Sequence, residues 1–327
     1  MGITAGHVGH APELGTPGAE EQDPVAVLAT PRGRAWRSLR GNPAFWAGVA
    51  LVTFMVAIAV LAPLIAPHDP NQQFRRDEAG VLIRHPLGPS AMFPLGTDPS
   101  GRDYLSRLLF GARTSLIIGV GANLIATFLG VVIGSVAGFV RNPEMRLPGG
   151  RPVRIPVESL LMRLTDLALA FPALLLAIAL AAVLRPSIGL VIGIIAGILW
   201  ATTARIVYGR VLILGEAEFV EAARAVGVSN LRILTRHILP HVAPLVVVYG
   251  SLGIAATILF ETTLSFLGAG VPARTPTWGT MISDHITWYA TEPRLVALPG
   301  LAIMITILGF TLLGDALRDA LDPHSHR

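Results

Sequence analysis

Residues Glu218 to Pro240 read EFVEAARAVGVSNLRILTRHILP. The stretch is polar, Arg-bearing and helix-forming. It interrupts an otherwise apolar chain, so it has to lie outside the bilayer between two membrane spans. Phe219, Ala222, Ala223 and Val226 recur at i, i+3, i+4 and i+7, which lays an apolar stripe along a short helix, with Glu218 and Glu221 on or beside it. Gly227 suits the position just past a helix end because it accepts positive φ. Ser229 is placed to cap a second helix. That helix runs through Leu231, Ile233, Leu234 and Ile238 and is predicted to stop before Pro240. From the residues alone two readings stand side by side. One is a helix pair bent at a glycine, offering a smooth alanine shoulder to a partner protein. The other is an ordinary amphipathic segment resting on the membrane interface.

Composition sets the class around this segment. Apolar residues make up 52% of the 327 and charged residues 14%, against roughly 25% charged in a soluble domain. Mean hydropathy is +0.62, and several runs reach the ~20 apolar residues that cross a bilayer as a helix. The runs are continuously apolar and do not alternate, which argues against a β-barrel. With no cysteine, disulfides, thiol catalysis and Cys-ligated metal centres are excluded. Every basic residue is Arg. A P-loop needs a Lys that reaches the nucleotide phosphates, so the chain holds no standard one. Arg flanking membrane spans acts as a topology signal, and no basic and aromatic cluster favours nucleic acid.

The predicted organisation is an all-α polytopic membrane protein with six transmembrane helices. Residues 1–41 read as a disordered tail, 42–67 as the first membrane helix with its flanks, 68–113 as an outer loop and 114–323 as a five-helix core whose inner loop covers about 216–240. The six spans fall at about Ala44–Ala66, Ser115–Val140, Ser159–Leu184 (carrying Pro172), Ile188–Val207, Ala243–Leu267 and Val296–Leu317. With the N-terminus inside, the inner segments carry more of the arginines than the outer ones. Both termini and Glu218–Pro240 then face the cytoplasm. Gly130, Gly134 and Gly138 share one helix face, as do Gly189, Gly193 and Gly197, and small residues at that spacing let backbones approach closely. Trp278 and Trp288 read as interfacial anchors, and Pro172 and Pro299 as kinks.

Glu221-Ala222-Ala223, with Gly227 four residues after Ala223 and then Leu239-Pro240, resembles the EAA loop of bacterial ABC importer permeases. His237 stands where that pattern usually has Ile, but Arg236 to Pro240 matches its peptide branch. Leu95 to Asp98, Gly101 to Asp103, Ser106 to Leu109, Gly111 to Arg113, Ala170 to Pro172, Ser265 to Gly268, Trp278-Gly279 and Leu313 to Asp319 are similar to the dipeptide/oligopeptide/nickel permease family. The likeness is nearest to its C-type subunits, and it covers about Arg40 to Pro323. The resemblance implies an ABC type I importer permease fold forming half of a translocation pathway for di- or oligopeptides. Glu221, Ala222, Ala223 and Gly227 would dock a cytoplasmic ATPase, and Leu239 and Pro240 would fix the helix exit. The implied partners are a homologous B-type permease subunit, two cytoplasmic ABC ATPase domains, an extracytoplasmic substrate-binding protein and the lipid bilayer, without nucleic acid. No cofactor is expected in this chain, since ATP and Mg would be bound by the ATPase subunits.

Asp166 and Glu261 lie at or near membrane depth, where a carboxylate costs about 2.5–3.5 kcal/mol and therefore faces other helices or water. Each is a candidate lining for the translocation pathway, and each can instead fix helix packing by hydrogen bonding. The packing reading suits Asp166, close to the inner surface, and Glu261 suits either. The nine histidines show no helical ligand spacing within a span, so no metal site is assigned. Import of nickel chelates, glutathione or another small solute would use the same architecture. A secondary transporter driven by an ion gradient would need midplane carboxylates and inverted repeats. An intramembrane enzyme would need a catalytic set that the spans do not display.

Overall fold

The computed structural model describes residues 31–75, 86–140, 144–146, 152–154 and 156–321. Among them, five helices are long and apolar enough to cross a membrane, and a bent pair would make a sixth span. The elements are α1 (Pro31–Gly41), α2 (Pro43–Ile65), α3 (Tyr104–Val140), the strands β1 (Glu144–Arg146) and β2 (Pro152–Arg154), α4 (Val157–Ala170), α5 (Ala173–Val183), α6 (Ile188–Leu214), α7 (Glu218–Ala225), α8 (Asn230–Ile233), α9 (Leu239–Phe266), α10 (Trp278–His285) and α11 (Arg294–Leu321). β1 and β2 pair antiparallel, with Met145 opposite Val153.

The tail expected over 1–41 differs at its end. Residues 1–30 lie outside the described residues, and Pro31–Gly41 forms α1, which packs against α11. Asn42 then restarts the chain, its Oδ1 accepting from the Ala44 N–H at 2.9 Å, with Pro43 in the first turn of α2. A proline there removes only an N–H that has no helical partner anyway.

α3 begins at Tyr104, ahead of the expected Ser115, and α6 continues through Arg205 and Arg210 to Leu214. Apolar windows stop at an arginine. Helices do not, because the backbone ladder is indifferent to a side chain that finds water or a partner. The third span is broken. α4 and α5 meet at an 85° bend across Phe171 and Pro172. Pro172 cannot donate to the preceding turn and drives Phe171 into extended backbone, which turns the expected kink into a corner.

The tightest contact in the bundle is α3 against α6. A Cβ on Gly134 would lie 2.4 Å from the Ala204 carbonyl oxygen, and on Gly130 2.5 Å from Thr203 Cβ. The glycines are the reason the two backbones can touch. The other trio behaves differently, since nothing lies within 4 Å of a Cβ on Gly189, Gly193 or Gly197. The main core gathers Met55, Ala112, Leu116, Ile258, Trp278, Ile303 and Phe310 from α2, α3, α9, α10 and α11. Trp278 is therefore not the interfacial anchor expected. It is fully buried, and Gly111 and Gly279 admit it, the latter packing on the Thr262 carbonyl of α9. Trp288 is half-buried beside the small cluster of Tyr104, Met281 and Leu295. Pro299 lies buried within α11.

Candidate functional site

α7 carries Glu218 and Glu221 in its first turn and Arg224 in its last, each on the favourable end of the helix dipole. Val220 and Ala223, one turn apart, point into a cluster of Phe139, Val207, Val211, Leu214, Ile233, Ile238 and Val242. The short helix is thereby clamped onto the ends of α3, α6 and α9. Arg224 adds a cation–π contact, its guanidinium carbon 5.7 Å from the Phe139 ring centre. The helix ends in a Schellman motif, with Gly227 N–H donating to the Arg224 carbonyl at 3.0 Å and Val228 N–H to the Ala223 carbonyl at 3.0 Å. Gly227 takes φ +80. Nothing lies within 4 Å of a Cβ built there, so backbone conformation alone demands the glycine.

The stripe expected on this helix divides. Ala223 turns inward with Val220, while Phe219, Ala222 and Val226 stay exposed, Val226 at 79%. Glu221 is also exposed. Phe219 stacks on His241 with ring centres 5.3 Å apart. The outward face therefore joins three apolar side chains to a carboxylate, on a helix that its other face holds rigid.

Two expectations about the second helix are corrected. Ser229 occupies the N-cap position of α8, but its side chain makes no capping bond. The helix also does not stop before Pro240. Leu234–Ile238 forms a π-helical turn, with Leu239 N–H bonded to the Leu234 carbonyl, and α9 follows with Pro240 in its first turn. The wider turn accommodates the absence of an N–H on Pro240. Asn230–Phe266 thus runs as one span of 37 residues, with Leu239 half-buried and Pro240 exposed within it.

The two candidate pathway carboxylates lie in different surroundings. Glu261 is fully buried, and its Oε1 accepts from the Ser265 hydroxyl at 2.7 Å. It is sealed between helices. Asp166 is more than half exposed and pairs with Arg205 of α6. Asp166 borders a cavity of about 430 Å³ lined also by Glu158, Ser159, Met162, Arg163 and Tyr208, and Arg205 meets that lining through its ion pair with Asp166. The Tyr208 hydroxyl donates to Glu158 Oε1 at 2.6 Å. Among the described residues, no group of three His, Asp or Glu side chains is placed to hold a metal ion.

A charged cluster at the other end of the bundle was not foreseen. Buried Asp98 accepts from the Ser100 and Arg102 backbone N–H groups, each at 2.9 Å, and from Arg102 Nε at 2.6 Å. Arg107 Nε lies 3.7 Å and His285 Nε2 3.8 Å from the same carboxylate. Burial alone would raise the Asp98 pKa, but His285 and Arg102 outweigh it and hold the group at about 2. Arg294 at the head of α11 grips the carbonyls of Leu87 and Leu95. The loop before α3 is thus bolted to α10 and α11. The signal available in the sequence was the spacing of Asp98, Arg102, Asp103 and Arg107, with Asp98 between the turn glycines Gly96 and Gly101 and the others just after them, both glycines at positive φ.

Residues 130–327 match the family described as binding-protein-dependent transport system inner membrane component. Residues 30–86 match the N-terminal TM domain of oligopeptide transport permease C. The chain is 37% identical over 310 residues to the di/tripeptide transport system permease protein DppC of Pseudomonas aeruginosa, covering 93% of this chain and 96% of that one. It is 36% identical over 312 residues to the dipeptide transport system permease protein DppC of Alkalihalophilus pseudofirmus, covering 95% of each. With the glutathione transport system permease protein GsiD of Escherichia coli O6:K15:H31 it shares 37% identity over 296 residues, 90% of this chain and 91% of that one.

Proposed function

The chain belongs to the inner membrane components of binding-protein-dependent transport systems, and from that premise we propose that it is one of two permease subunits of an ATP-driven importer of short peptides. The observation that carries the coupling role is α7, immobilised by Val220, Ala223 and the Gly227 motif while Phe219, Glu221, Ala222 and Val226 point outward. A cytoplasmic ATPase gripping that face would move a body fixed to α3, α6 and α9, without deforming a loop. On this reading ATP and Mg bind in the partner ATPases, both termini and α7 face the cytoplasm, and the core over 114–323 carries the pathway. The second permease subunit has a ready contact in the open Gly189, Gly193 and Gly197 face of α6.

Short peptides are supported as substrates by the names of the relatives, since di- and tripeptides and glutathione share a small peptide backbone with charged ends. The test is co-expression with a second permease, two ATPases and a binding protein, followed by uptake of radiolabelled dipeptides into proteoliposomes. ATP-dependent accumulation is expected. Uptake that runs without ATP on an ion gradient would sink the reading. Glutathione is the second candidate, favoured by the identity to the glutathione permease, and competition between unlabelled glutathione and labelled dipeptide separates the two.

A further inference from the structure

The cavity between α4 and α6 combines features not expected of a lipid-facing surface. Ser159, Met162, Arg163 and Asp166 fall at i, i+3, i+4 and i+7 on α4, so they share one face. Arg205 and Tyr208 lie one turn apart on the facing helix. Arg205 sits ~14 Å along α6 from its end at Leu214. Charged side chains on a membrane helix face water or protein. Ser159, Arg163, Asp166 and Arg205 are nonetheless exposed in the single chain, so the face they share opens onto an aqueous space or a second subunit.

The charges are balanced, two guanidiniums against two carboxylates, as are those of a peptide with a free amino and a free carboxyl end. At about 430 Å³ the space falls in the range of small-molecule sites. The Arg205–Asp166 pair is half exposed. An exposed pair is held weakly and can exchange partners, unlike the sealed Glu261–Ser265 contact.

We propose that this cavity is a transit site for short peptides, in which Arg163 and Arg205 receive the peptide carboxylate and Asp166 and Glu158 its ammonium group. The site rests on the peptide reading above and adds where this subunit senses peptide charge. The experiment compares glutamyl-glutamate, alanyl-alanine and lysyl-lysine uptake by the full reconstituted assembly, before and after Arg163→Glu. The same binding protein delivers all three, so its preferences cancel between variant and wild type. Uptake of glutamyl-glutamate relative to alanyl-alanine is expected to fall about fivefold, with no fall for lysyl-lysine. Ser159→Asp adds negative charge to the same exposed wall and is expected to shift selectivity in the same direction, which decides the matter if Arg163→Glu does not assemble. Equal losses for all three peptides, or unchanged ratios, would assign the cluster to packing and overturn the site. Wild-type assemblies that import no peptide would overturn the peptide reading itself, and the transit site with it.

Discussion

Gly227 and Ala222 sit in the same segment but are constrained differently. Gly227 is fixed by its φ, and any L-residue there is strained by about 1 kcal/mol. Proline would cost more, because it also removes the N–H that closes the helix end. Ala222 is exposed, so Ala222→Trp leaves the fold alone and obstructs whatever docks. We expect normal membrane insertion and helix content for Ala222→Trp, with ATP-driven uptake lost. Uptake at the wild-type rate would remove Ala222 from the docking face. Asp98 gives a pH prediction. Its folded pKa of about 2 lies below the ordinary 3.8, so its contribution of about 2 kcal/mol is present above pH 3.8 and drains away as the pH falls towards 2. Asp98→Asn should remove that pH dependence. It should also destabilise the detergent-solubilised protein by about 1–3 kcal/mol at neutral pH, since buried Arg107 loses one carboxylate and keeps only half-exposed Asp284 and the Pro70 carbonyl. Thermal unfolding monitored by circular dichroism reads both effects.

At the scale of elements, two glycine stripes with the same spacing have opposite surroundings. Gly134→Leu would drive a side chain into the Ala204 carbonyl, and we expect loss of the folded chain, seen as failure to give a monodisperse peak in detergent. Gly193→Leu meets open space, so the chain should fold normally but fail to co-purify with the second permease subunit proposed above. Spacing alone could not tell these stripes apart, because the difference lies in which face each helix turns to its neighbours. The limit is the same for Phe219 and Val220. The apolar period marked a helix over α7, but the bundle chose Val220 to bury and left Phe219 outside. Pro240 shows a second limit, since a proline signals a missing donor without saying whether the chain will stop or widen its turn.

For the whole molecule, apolar run length and the Arg-rich interruptions made the helical membrane class legible. Glu221 to Gly227 was legible as a helix closed by a glycine, because that motif is local. The charge cluster around Asp98 was not, since Asp98 meets His285 and Arg294 meets Leu87 across most of the chain length. The broken span at Pro172 was half legible, as a kink without its angle. Because the chain lacks cysteine, single-cysteine variants report topology cleanly. Ser229→Cys and Asn71→Cys both place the thiol at exposed positions. A membrane-impermeant maleimide added to intact cells should label Asn71→Cys and spare Ser229→Cys, and the reverse pattern would invert the orientation proposed.

The π turn at Leu234–Ile238 has a geometric consequence. Because it joins α8 to α9 without a break, the 37 residues from Asn230 to Phe266 form a strut roughly 55 Å long. Rocking such a strut by roughly 10° about one end would sweep the other through about 10 Å. The far end packs Thr262 and Ser265 against Gly279 of α10, so a modest push near the EAA segment would be magnified there by simple trigonometry.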